Sequence, residues 1–379
     1  MREYELEGCR LEVGVPVEVG RAQGHFWFSK LHRIGGQDVL CEVIITDDKA
    51  QGQWPTILHL SSDGGANWAK ALDIESYGPS SIPLGPRKLL LMPYELWPTS
   101  PGDKRNAGAN GTVVTLGRDG AIAVTRAPVK FLAAPRDLQD YHKAELSLFT
   151  SGNMLPLRDG RLFTTLYGGF AGDERGTCFS FASDDGGFTW HYHSIVASWK
   201  DVPDAVAGPS ESNTVRLSDG RLMCVYRVDS GQRYHKSYSA DDGTAWSRPE
   251  TVENAWSVEP QLARLDNGTL LLSGGRQGLF VWACTDGKGA RWERLNLAEH
   301  HNAMLPDPSL HYSDSFCQAR EVDPAQSTAY TGMIIMGHDE ALICYDRLGN
   351  GWAGAPGPWG SEDAVFCVRL RATLKTGRV

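Results

Sequence analysis

The sequence predicts an all-β fold, a six-bladed β-propeller, and three observations lead there. An octet running from Ser183 through Asp185 and Gly187 to Trp190, in the pattern Ser-x-Asp-x-Gly-x-x-Trp, recurs at Ser61, Asp63, Gly65 and Trp68 and again at Ser239, Asp241, Gly243 and Trp246. A worn copy runs from Cys284 through Asp286 and Gly289 to Trp292, with Cys for Ser and one extra residue. Around these octets an apolar strand, a Gly/Asp turn and a second apolar strand repeat six times, and a third strand leads into the octet. Four antiparallel strands per unit make a propeller blade. The third observation is compositional: 379 residues with 42 Gly, 20 Pro and 12 Trp suit many short strands and tight turns. No linker, charge block or shift in composition divides the chain, so a single domain over residues 1–379 is expected.

Each octet has the chemistry of a tight turn. The Asp carboxylate accepts hydrogen bonds from nearby backbone N–H groups, Gly supplies positive φ, and Trp pins the turn onto the strand below. The first turns of the six units fall at Gly35-Gly36, Gly85-Pro86, Asp159-Gly160, Asp219-Gly220, Asn267-Gly268 and Gly337-His338-Asp339. The second unit has no octet. It carries a second hairpin turning at Asp119-Gly120, and the polar stretch from Leu96 to Ala109 reads as an exposed loop. The strand-like ends predict ring closure, with Glu3 to Val13 as an outer strand beside Ala364 to Leu374, which removes two exposed edges. Lys375 to Val379 reads as a loose tail.

A net charge of −9 and a pI of about 5.7 argue against nucleic-acid or anionic-membrane partners. No apolar run reaches the length of a membrane span. Met1 to Glu7 has no apolar signal core, which leaves a cytosolic protein or one whose leader has been removed. The eight cysteines stand singly, without metal-ligand spacing. Cys41, Cys224 and Cys344 fall inside apolar strands and read as buried thiols. Neither a disulfide framework, a metal nor a cofactor is expected.

Residues equidistant from a hairpin turn face each other. Counting outward from Asp219 places Glu211 opposite Arg227. Counting from His338 places Tyr330 opposite Asp346, and counting from Asn267 places Arg276 opposite Val258, next to Glu259. The same count selects Trp27 and Phe28 with Asp47 and Asp48 in the first unit, Tyr94 and Glu95 in the second, and Tyr167 and Ser151 in the third. These ends all lie opposite the turns, so a ring of acidic, basic and aromatic side chains should surround one mouth. Arginine binds a carboxylate as a planar fork, carboxylates serve glycosyl transfer, and aromatic faces suit sugar rings. A structural ion pair is the competing reading of Glu211 and Arg227, and rim or packing roles compete for Glu259, Glu95, Tyr94 and Tyr167.

The octets are Asp boxes, and the chain resembles the sialidase-like (BNR-repeat) β-propeller proteins over nearly its whole length. The resemblance implies a retaining glycosidase that removes a terminal, acidic sugar from a carbohydrate partner, with sialic acid as the first candidate. It implies Tyr330 as nucleophile, Glu211 as the group that activates it, Arg227 and Arg276 as two of three carboxylate-binding arginines, and Asp346 as the acid supporting an arginine. An Asp acid/base is implied too, with Asp47 and Asp48 the nearest in sequence. The family's first arginine is missing. Its place falls within His25-Phe26-Trp27-Phe28-Ser29-Lys30, and Lys30, read as pointing along the strand, is a poor substitute. Two other classes stand beside this one. A polysaccharide lyase would use His25 or Tyr330 as base or acid, and a carbohydrate-binding protein would not turn anything over. Hydrolysis, a lyase's ultraviolet-absorbing product, and binding without product separate the three.

Overall fold

The computed structural model describes residues 1–49, 52, 54–139, 148–229, 232–276, 278–312, 328–349 and 362–375. Among these residues it is all-β apart from one short α-helix, Leu297–Met304, and two 3-10 turns. Three sheets have the expected four strands in sequence order. They are Trp27–Gly35, Asp38–Ile44, Pro55–Ser61 and Ala69–Glu75; Ser210–Arg216, Leu222–Arg227, Arg233–Ser239 and Glu250–Trp256; and Val258–Arg264, Leu270–Gly275, Phe280–Cys284 and Glu293–Asn296. The second strands, Asp38–Ile44, Leu222–Arg227 and Leu270–Gly275, are apolar because both their faces are covered, while outermost strands such as Ala69–Glu75 are largely exposed. One core cluster joins Val215, Met223 and Val225 to Leu262, Leu272 and Trp282 of the next sheet. Strand Thr331–Gly337 packs against Trp27–Gly35 on one side and Val258–Arg264 on the other. Val258–Arg264 packs in turn on Ser210–Arg216, and Ser210–Arg216 on Leu162–Gly168.

The chain ends do meet, but through more strands than one. The long strand Glu362–Leu374 pairs with Cys9–Val13 near its end, with Leu11 opposite Ala372, and with Val17–Gln23 nearer its start, with Asp363 opposite Ala22. Arg2–Glu5 folds back on Cys9–Val13 as a hairpin. The stretch read as one outer strand is therefore two, and a third follows Pro16, which lacks the N–H a continuous ladder needs. Lys375 pairs with Glu5 at 2.8 Å. The rest of the expected tail lies outside the described residues.

The second and third units differ from the expectation. They form one ten-stranded sheet. Strand Ile122–Leu132 runs past its hairpin and pairs in parallel with Thr189–Ala197, Phe131 lying opposite Trp190. Glu95–Pro98 bridges Ala107–Leu116 and Leu148–Thr150. The stretch read as a loop from Leu96 to Ala109 thus contributes to two strands. Only its tip turns, held by Asp103, which accepts from the N–H groups of Arg105 and Asn106 at 3.0 Å.

The Asp boxes sit between the third and fourth strands of their units. In the box at residues 183–190, Ser183 Oγ donates to Asp185 Oδ1 at 2.8 Å and accepts from Gly187 N–H at 3.0 Å. The same Asp185 oxygen accepts from Phe188 and Thr189, and Trp190 Nε1 donates to Gly187 O at 2.8 Å. The worn copy keeps this plan, with Cys284 Sγ donating to Asp286. Burial works to raise Asp185, but the N–H and hydroxyl donors outweigh it and hold its carboxyl below the ordinary value of 3.8. Asp185→Ala should lower stability by about 1–3 kcal/mol, read as a drop in Tm. A depressed carboxylate stabilises the fold above its unfolded pKa and loses that contribution as pH falls through its folded value. The gap in Tm between wild type and variant should therefore close in strong acid.

The seven described cysteines, among them Cys41, Cys224 and Cys344, are free and buried. Among the described residues no helix is long and apolar enough to cross a membrane, and no His/Cys/Asp/Glu group is placed to hold a metal.

Candidate active site

The inner strands of three units share one irregularity, and it builds the site. Each has a β-bulge near its start, between Trp27 and Lys30, between Ser210 and Asn213, and between Val258 and Gln261. The residue at each bulge has positive φ without being glycine: Phe28 at 50°, Glu211 at 44° and Glu259 at 43°. Such backbone costs on the order of 1–3 kcal/mol and persists where packing enforces it. The extra residue re-aims a side chain and slips the pairing by one. Hence Ser210, not Glu211, lies opposite Arg227, and Gly275, not Arg276, lies opposite Val258. In the third unit Tyr167 lies opposite Phe149 rather than Ser151, whose hydroxyl accepts from the Ser212 N–H instead.

The bulged carboxylates meet at the centre. Tyr330 Oη donates to Glu211 Oε1 at 2.8 Å. Arg227 Nη1 donates to both Glu211 oxygens at 2.9 Å, and the Glu259 N–H donates to Glu211 Oε2 at 2.8 Å. Arg276 stands over the Tyr330 ring, 5.5 Å from its centroid. Burial works to raise Glu211, but the charges of Arg227 and Arg276 and these donors hold it below 4.5. Burial and the charge of Glu211 push the Tyr330 phenol up. The resting pair is thus a neutral phenol bonded to a carboxylate, which is how a phenol nucleophile stands beside its base.

Lys30 belongs to this centre, contrary to its reading as a side chain lying along the strand. Its ammonium donates to Glu259 Oε1 at 3.0 Å and to Thr331 O at 3.2 Å, with the side chain 2% exposed. Burial pushes the Glu259 carboxyl up, against the pull of Lys30 and with the help of Glu211. Two neighbouring carboxylates therefore have their pKa values driven apart, a pattern common where one serves as acid and the other as base.

Asp346 was expected beside an arginine and lies elsewhere. It is wholly buried, and its oxygens accept from the N–H groups of Phe28 at 3.1 Å, Ala329 at 2.6 Å and Tyr330 at 3.5 Å and from the Thr328 hydroxyl at 3.2 Å. Its carboxyl is pushed up to about 6 by burial. It fixes the backbone that presents Tyr330. The segment can come this close because Gly275 has no side chain: a Cβ there would meet Ala329 O and Thr328 Oγ1 at 2.9 Å.

Trp27 is also displaced from its expected role. The bulge turns it to the same side as Phe28, against which it stacks at 4.3 Å, and it is 2% exposed. Phe28 in turn packs on Tyr330 at 4.5 Å. Trp27 therefore backs the Phe28–Tyr330 pair, with His25 stacked on it at 4.6 Å, and offers no face to a ligand.

The paired aspartates part company. Asp47 is held by Lys49 and by Thr46 Oγ1, and Lys49 above all keeps its carboxyl low. Asp48 keeps solvent access at the mouth. Crowding by the surrounding protein raises its carboxyl, with the charges of Arg276, Glu211 and Arg227 within reach. Of the two, only Asp48 faces the charges of Arg276, Glu211 and Arg227. Tyr94 and Tyr167 bond to each other through their hydroxyls at 2.9 Å, and Glu95, buried beside them, accepts from the Gly52 N–H at 2.7 Å. Trp54 and Tyr77, which no turn count selects, pack edge-on against Tyr94 at 5.7 and 5.5 Å. Trp54 precedes the strand Pro55–Ser61 and Tyr77 follows the strand Ala69–Glu75, outside the hairpin built on the first turn, so equidistance says nothing about them.

A family model described as a BNR repeat-like domain matches residues 128–336. No curated protein matches the chain in sequence. Among solved structures, a Trypanosoma rangeli sialidase mutant displaying trans-sialidase activity is similar with a TM-score of 0.55 at 14% identity. That match covers 94% of this chain and 57% of the sialidase. The Penicillium chrysogenum α-L-arabinanase complexed with arabinobiose gives 0.56 at 11%, covering 94% and 98% of the two chains. The GH93 α-L-arabinofuranosidase of Fusarium graminearum gives 0.56 at 12%, covering 95% and 98%. At such identities the likeness speaks to the fold alone.

Proposed function

From the premise that this chain belongs to the BNR repeat-like family, we propose that it is a glycoside hydrolase, one six-bladed propeller that releases a terminal sugar with retention. The observation that carries this reading is the 2.8 Å hydrogen bond from Tyr330 to a Glu211 gripped by Arg227. Tyr330 Oη attacks the anomeric carbon and its proton passes to Glu211. Asp48 protonates the departing oxygen. Water then opens the tyrosyl intermediate: Asp48 takes a proton from that water, and Glu211 returns its proton to the freed Tyr330 oxygen. A phenol keeps a bare carboxylate away from an anionic sugar, and Arg227 and Arg276 suit that sugar's carboxylate. Sialic acid is the first candidate and a uronic acid the next. The packing of inner strands from unit to unit, from Trp27–Gly35 through Thr331–Gly337, Val258–Arg264 and Ser210–Arg216 to Leu162–Gly168, is the arrangement a propeller ring requires.

One observation favours a second reading. The cation nearest the expected first-arginine place, Lys30, is already neutralised by Glu259, which leaves less charge for an anionic substrate. A neutral sugar would then be cleaved, with Asp48 still the proton donor.

The deciding experiment offers 4-methylumbelliferyl α-sialoside, β-glucuronide and α-L-arabinofuranoside in parallel. Release from an acidic glycoside supports the first reading, and release from the arabinofuranoside alone supports the second. Ultraviolet-absorbing product from a uronate polymer would mean a lyase, and binding without product a carbohydrate-binding protein. On the first reading kcat/KM should be bell-shaped in pH. It falls in acid as the depressed Glu211 gains a proton and in alkali as the elevated Asp48 loses one. Asp48→Asn should abolish the alkaline limb, and a limb unchanged in that variant would remove Asp48 as the acid.

A further inference from the structure

We propose that a cleft between the first two units is a second sugar subsite, holding the neutral ring next in line to the one cleaved at Tyr330. This rests on the hydrolase reading above. The cleft has a volume of about 220 Å³ and is lined by Trp54, Tyr77, Tyr94, Glu95, Asn110 and Arg126, among others. Tyr94 is its shared wall with the catalytic mouth, since its hydroxyl bonds Tyr167 and the charges of Asp48, Glu259 and Glu211 reach it.

Two features point to a hydroxyl-bearing ligand. Trp54 Nε1 and Tyr77 Oη are buried polar atoms with no hydrogen-bond partner among the described residues, and each side chain belongs to a residue only 4% exposed. Buried donors without acceptors are costly, and both belong to side chains that line the cleft, so a small turn of either side chain would offer its donor to an arriving oxygen. The walls supply three mutually packed aromatic rings, while exposed Asn110 and the Arg126 guanidinium stand at the rim. Arg126 is already engaged by Thr112 Oγ1 at 2.7 Å and by Glu75 O. With Glu75 and Glu95 also in the lining, an acidic ring is disfavoured and a neutral polyol ring fits.

The test is calorimetric titration of the protein carrying Tyr330→Phe, which stops turnover, with two matched pairs: methyl α-sialoside against sialyllactose, and methyl α-L-arabinofuranoside against arabinobiose. The longer ligand of one pair should bind about tenfold tighter than the shorter. Adding Tyr77→Phe, which keeps the ring, or Asn110→Ala, at an exposed position, should erase that advantage and leave the affinity for the methyl glycoside unchanged. Equal affinities within both pairs, or an advantage that survives both changes, would overturn the subsite. The two readings fail separately. Hydrolysis by the wild type with equal affinities leaves the hydrolase standing without the subsite. A length advantage dependent on Tyr77 with no hydrolysis leaves the subsite standing without the hydrolase. Failure of all four ligands to bind would overturn both.

Discussion

Tyr330→Phe should reduce kcat/KM by roughly a thousandfold or more and leave the fold in place. The substitution removes one oxygen from a ring that stays packed on Phe28 and under Arg276. Its structural cost is the single hydrogen bond to Glu211, about 1.5–3 kcal/mol because the acceptor is charged. The chemical cost is larger, since phenylalanine has no atom with which to form the tyrosyl intermediate. Rapid-quench kinetics should show a burst of aglycone from the wild type, where deglycosylation is slow, and none from the variant. The first-formed anomer, followed by NMR, should have the configuration of the substrate. A variant within tenfold of wild type, or an inverted product, would mean that water attacks directly and that Tyr330 only lines the site.

Glu211→Ala should abolish activity and also destabilise the protein by about 3–5 kcal/mol. The carboxylate serves three donors at once, Arg227, Tyr330 and the Glu259 N–H. Its loss takes from the Arg227 guanidinium, whose side chain is only 17% exposed, the carboxylate it grips through two hydrogen bonds, and breaking a buried charge pair is the costly part. Glu211→Gly separates two contributions. It loses the same carboxylate but relaxes the backbone at φ 44°, so it should unfold about 1 kcal/mol later than the alanine variant. The pH dependence has a definite sign. Glu211 is depressed below 4.5, so its stabilising effect is present above that value and fades as pH falls through the folded one. Wild type and Glu211→Gln should therefore converge in stability in acid. If Glu211→Gln is destabilised yet fully active, the pair with Arg227 is a structural brace and the base lies elsewhere.

The Asp boxes were legible because every bond that makes them spans a few residues, from Ser183 to Trp190. The meeting of Tyr330 with Glu211 was legible for another reason: six similar hairpins send equidistant residues to the same end. What could not be read was anything that turns on one extra residue. The bulges at Phe28, Glu211 and Glu259 leave no mark in the apolar pattern, yet they bury Trp27, bring Lys30 to Glu259 and shift the partners of Arg227 and Arg276. Asp47 and Asp48 are chemically alike in sequence, and only the position of Lys49 and the crowding at the mouth tell them apart. The second and third sheets are fused twice: Lys130 to Leu132 extend a strand that its hairpin alone would have ended, and Glu95–Pro98 pairs with a strand of each.

The repeated bulge also bears on how such a site diversifies. Duplication of one strand unit carries an unpaired, inward-facing position into each copy. A substitution there changes the chemistry at the axis while the hydrogen-bond ladders on either side stay as they were. In this chain one copy holds an aromatic ring and two hold carboxylates. Exchanging residues at these three addresses is thus the shortest mutational path by which the same frame could acquire a different substrate, and a saturation library restricted to positions 28, 211 and 259 would sample that path directly.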